Sequence, residues 1–95
     1  MTQLGDVALF ESVDRADYGQ ALTLLGQVIA LHATAIARER SRPRPDRELI
    51  ERMERHRHDA VEVCRRLSSG DPEHFTRVVR EYSSVYDTLR AMTRH

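Results

Sequence analysis

Ala21-Leu22-Thr23-Leu24-Leu25-Gly26-Gln27-Val28-Ile29-Ala30-Leu31-His32-Ala33-Thr34-Ala35-Ile36-Ala37 decides the fold of this chain. The run has no charged side chain, and its apolar residues cover most of a helical cylinder. At roughly 25 cal/mol per Å² of exposed apolar area, such a helix cannot stand alone in water. It must be covered by the rest of the chain, by a second copy or by a partner. Two adjacent seams follow it: Leu22, Leu25, Ile29, His32 and Ile36, and beside them Ala21, Leu24, Val28, Leu31 and Ala35. Two seams require two neighbours, so the helix is expected to be central. The run includes Gln27, His32 and two threonines and falls short of the ~20 apolar residues that span a bilayer, so a buried helix is expected and no membrane contact.

Outward from this run, helix-ending and helix-starting residues divide the chain. Asp14 is placed to cap the first helix, with Asp17 against the dipole in its first turn. Pro43 and Pro45 end that helix and make the next connection short and stiff, which favours an antiparallel neighbour. Asp46 is the next N-cap. The second helix then shows Leu49, Met53, His56, Ala60, Val63 and Leu67 at alternating steps of four and three. Its outer face carries acid-then-arginine pairs four apart, such as Glu48–Arg52 and Glu62–Arg66. Gly70 suits a left-handed helix terminus. Asp71-Pro72-Glu73 opens a third helix along Phe75, Val78, Tyr82, Val85, Leu89 and Met92. No period-two run suggests a strand.

The expected fold is therefore all-α: an antiparallel up-down-up bundle of three helices, at about 14–40, 47–68 and 72–93. Residues 1–95 form a single helical domain in this reading, with 1–13 as an N-terminal arm or short helix bearing Leu4, Val7 and Phe10. Three helices of this length sit near the size at which one core only just offsets chain entropy. Self-association is expected for that reason, most simply as a dimer through Leu24, Val28, Leu31 and Ala35 with Phe10 of the arm.

Composition narrows the class of function. Charged residues make up 32% of the 95-residue chain, yet the net charge is zero. All fifteen cations are arginine, as codon usage in a GC-rich bacterial genome produces. Residues 38–66 hold ten arginines against seven acids. The charge is uneven along the chain, and segments of opposite sign favour internal or self-association over attraction to a bulk polyanion. Cys64 stands alone, which excludes an intrachain disulfide and fits a cytoplasmic setting.

Three groups of residues are candidate sites. Arg38, Arg40, Arg42, Arg44 and Arg47 surround the first loop and can meet an acidic protein or phosphate groups, although no aromatic is interleaved for base stacking. His32 and His56 each replace an aliphatic residue on a core seam. Counting about the loops places them at one height, with Ser83–Val85 beside them, as a metal-binding pair or a polar core layer. Glu54, His58 and Glu62 share one face of the second helix, within a solvated charge lattice. Cys64 approaches His74 by the same count but suits apolar packing. Arg57 interrupts the apolar stripe and is expected to reach solvent or an acid. No nucleophile with a base, no acid–base pair and no cofactor motif can be named. The expectation is a non-enzymatic protein–protein interaction or regulatory module without a cofactor. The alternatives are a nucleic-acid-associated protein using the arginine loop, and a metal or small-ligand site at His32 and His56.

Overall fold

The computed structural model describes residues 16–93 of the chain. They form three helices, α1 (Tyr18–Arg40), α2 (Arg47–Arg66) and α3 (Pro72–Thr93), with a 3₁₀ turn at Leu67–Ser69 after α2 and no strand among the described residues. The expected arm and Phe10 lie outside the described residues, as does Asp14.

Each helix opens on an aspartate whose carboxylate accepts the amide three residues on. Asp17 Oδ1 accepts from Gln20 N at 2.7 Å, Asp46 Oδ1 from Leu49 N at 3.1 Å and Asp71 Oδ1 from His74 N at 2.9 Å. These bonds satisfy amides that the helix itself cannot. Asp17 is the N-cap of α1 and not a first-turn residue. Gln20 Oε1 accepts from its backbone amide at 3.0 Å, which completes a capping box.

The connection from α1 to α2 is held by a side chain that faces inward. Glu39 is only 7% exposed; its Oε2 accepts from Asp46 N at 2.9 Å and its Oε1 from Arg42 Nη1 at 3.1 Å. Pro43 and Pro45 offer no amide to this loop, and Glu39 supplies a partner for the one that follows. At the other end of the molecule Thr76 Oγ1 accepts from Ala16 N at 2.9 Å and donates to Pro72 O at 2.9 Å, tying the entry to α1 onto α3.

Gly70 departs from the expected left-handed terminus. Its φ of −86° and ψ of 169° are extended backbone open to any residue. An added Cβ there would press against the His74 ring, which would have to shift.

α1 packs against both α2 and α3, whereas α2 and α3 share no comparable interface. The result is a slab of 50 × 31 × 14 Å with a radius of gyration of 14.9 Å. A compact domain of this length is expected nearer roughly 12 Å. Leu24, Leu25 and Val28 of α1 are fully enclosed, together with Ala60, Leu67 and Val79. Both seams of α1 face this core except at Leu22, which is 39% exposed, because the two neighbours flank one side of α1 and leave its back bare.

Candidate functional site

His32 lies on the floor of a cleft between α2 and α3. It is 3% exposed, and its Nδ1 lies 3.2 Å from Val28 O, one turn back on the same helix. That contact requires the proton on Nδ1 and leaves Nε2 as a lone-pair acceptor. Nε2 has no hydrogen-bond partner among the described residues. Burial lowers the pKa of His32 below the ordinary 6.5; the Val28 carbonyl opposes this, and charges at His56 and Arg57 add to the lowering. The neutral ring is therefore the stable form at neutral pH.

The His56 ring stands 6.1 Å from that of His32, edge to face at 62°. His56 is exposed, so it is a residue of the cleft rim and not of the core seam on which the sequence pattern puts it. The reason is the separation of α2 from α3: no α3 surface presses on His56, although Met53, Ala60 and Leu67 of the same seam are buried. The cleft has two adjoining lobes that share His32, His56 and Val85. The larger, about 380 Å³, is walled by Leu49, Met53, Leu89 and Met92, with Arg52, Ser84 and Thr88. The smaller, about 300 Å³, adds Tyr82, Asp59 and Glu81. Burial, reinforced by the nearby charges of Asp59 and Glu81, raises the Tyr82 pKa and keeps its hydroxyl protonated. Among the described residues no three His, Cys, Asp or Glu side chains come together to hold a metal ion.

The arginine loop is partly occupied within the chain. Arg40 Nη2 meets Glu54 Oε2 at 2.7 Å, joining α1 to α2, and Arg42 is bound to Glu39. Arg57 Nη2 reaches the other oxygen of Glu54 at 3.2 Å. Hydrogen bonding from Arg57 first, with Arg40 beside it, lowers the Glu54 pKa. Glu54 is thus engaged by two cations, and Glu62 by Arg65 at 3.0 Å, so neither waits with His58 for a metal ion. Arg38, Arg44 and Arg47 are exposed, Arg47 beside Pro45 and Ile50 in a shallow groove.

Of the residues expected at a dimer interface, Leu24 and Val28 are fully enclosed by this chain's own helices. Leu31 and Ala35 are half-buried. The exposed residues of α1 instead include Leu22, Gly26, Ala30, Ala33 and Ala37, which share one face. Cys64 is half-buried and packs against the core. By length and composition α1 is long and apolar enough to cross a membrane, a test that the core helix of a helical protein also passes.

Glu39, the inward strap of the first loop, is the residue that sequence reasoning missed. A carboxylate in the last turn of a helix opposes the helix dipole, and that mismatch is the signal that it answers to something else. No family model, curated protein or solved structure matches this chain.

Proposed function

We propose that this chain is a small, non-enzymatic, cytoplasmic helical module for protein–protein interaction or regulation, working as a homodimer with its three helices running up, down and up. Ala16 bonded to Thr76 at one end, and Ala35 sharing a groove with Met92 at the other, support the same sense for α1 and α3. The observation that carries the reading is the back of α1. Leu22, Gly26, Ala30, Ala33 and Ala37 lie there in the open, with Thr23, Gln27 and Thr34, and no charge occurs from Tyr18 to Ala37. In a chain that is 32% charged, a helix face of that length without charge fits a protein surface better than water. Its small side chains let a second backbone approach closely, and a two-fold axis across α1 would pair the face with itself.

Light scattering at micromolar concentration tests this. The expected mass is twice that of the 11.0 kDa chain, and Ala30→Arg is expected to return it to the single-chain value with helicity unchanged. A native protein found only at the single-chain mass refutes the dimer. Nothing favours nucleic acid as a second reading, since Glu54 and Glu39 already hold Arg40 and Arg42.

A further inference from the structure

We propose that the cleft between α2 and α3 binds a small, neutral aromatic molecule bearing one hydrogen-bond donor, a phenol-type hydroxyl, which is received by Nε2 of His32. The site lies on the opposite side of α1 from the uncharged face and does not depend on it.

Three observations support this assignment. The first is the orphaned acceptor. In a residue only 3% exposed a ring nitrogen normally has a partner, because an unmet buried acceptor is costly. With Nδ1 turned back on Val28 O, Nε2 is the ring nitrogen left for a ligand, and His32 lines both lobes of the cleft. The second is size and lining. Lobes of about 380 and 300 Å³ fall in the range of small-ligand sites, and their walls are mainly apolar. Met53 and Met92 supply thioethers that adapt to an aromatic ring, and His56 presents its ring at the rim. The third is charge. His32 is a neutral acceptor that has nothing to offer a carboxylate or a phosphate, which lack a donor. Asp59 and Glu81 outnumber Arg52 among the lining residues, which tells further against an anion. The mainly apolar walls favour a neutral donor over a cation.

Phenol and toluene test the proposal, since they match in shape and differ in the donor. Titration of isotope-labelled protein, followed by amide and imidazole chemical shifts, is expected to perturb His32, Val85 and Leu89. Phenol should bind ~5-fold more tightly than toluene, the effect of one net hydrogen bond. In His32→Phe the two probes should bind alike; in Val85→Trp, which fills the shared part of both lobes, neither should bind. Circular dichroism establishes that each variant is folded, and either one alone suffices. Equal binding of phenol and toluene to the native protein overturns the proposal. So does a phenol preference that survives His32→Phe, or an absence of shifts at the cleft, as expected if a second copy or a partner helix fills it.

Discussion

His32→Leu should stabilise the protein. Among the described residues the imidazole makes one hydrogen bond, to Val28 O, and none of them meets Nε2, in a side chain at 3% exposure. An unmet buried polar group costs about 1–3 kcal/mol, and the single bond that is lost returns about 1 kcal/mol. The Val28 carbonyl keeps its helical partner, so no new orphan appears. Leucine fits the apolar floor beside Val85 and Leu89. The net gain expected is about 1 kcal/mol at pH 7.5, or a rise of roughly 4–8 °C in Tm for a domain of this size. Acid should widen the gap. The folded-state pKa of His32 lies below 6.5, so the unfolded chain binds the proton first. This contribution to native stability is complete above pH 6.5 and is lost as pH falls through the lowered value. The facing groups are His56, Arg57, Arg52, Asp59, Glu81 and Tyr82, of which Tyr82 remains protonated because its pKa is raised. Urea denaturation of both proteins at pH 7.5 and pH 5, followed by circular dichroism, measures the effect. A variant less stable than the native chain, or with the same pH dependence, refutes the account of His32 as a half-satisfied core residue.

Gly26→Ala should separate monomer from dimer. An added Cβ meets nothing within 4 Å among the described residues, so none of them requires glycine, and alanine should add about 0.5–1 kcal/mol of helix stability. If α1 pairs with its copy, the same variant should raise the dimer dissociation constant, as read by sedimentation. Thr76→Val removes the acceptor for the buried Ala16 amide and should cost about 1–2 kcal/mol by urea titration, with faster hydrogen exchange at Ala16. Glu39, bonded first by the Asp46 amide and then by Arg42, has a pKa below the ordinary 4.5. Its contribution is present above that value and is lost as pH falls through the folded-state value. Glu39→Gln should therefore flatten the acid limb of an unfolding curve below pH 4.5, while the limb above it stays parallel to the native one.

The helices themselves were legible in the residues. Aspartate caps, prolines and four–three spacing are local signals, and a helix answers to its own neighbours within a few positions. Loop counting likewise brings His32 and His56 to one level, because helical rise is constant. The boundary at Asp14 was less legible, since Asp14 and Asp17 are both capable caps and only the Gln20 bond selects Asp17. Glu39 was missed because its role depends on where the chain goes seven residues later.

What the sequence by itself determined is the set of helices and the angular faces they present. Periodicity records directions around an axis, and those survive into the fold: Leu24, Leu25, Val28 and His32 all point inward on α1. The tertiary structure alone decided how far apart α2 and α3 stand once both are seated on α1. That distance depends on packing against a third element, to which neither helix's own pattern refers. The open gap leaves His56 at a rim and a cleft above His32, where the sequence pattern implies a filled core.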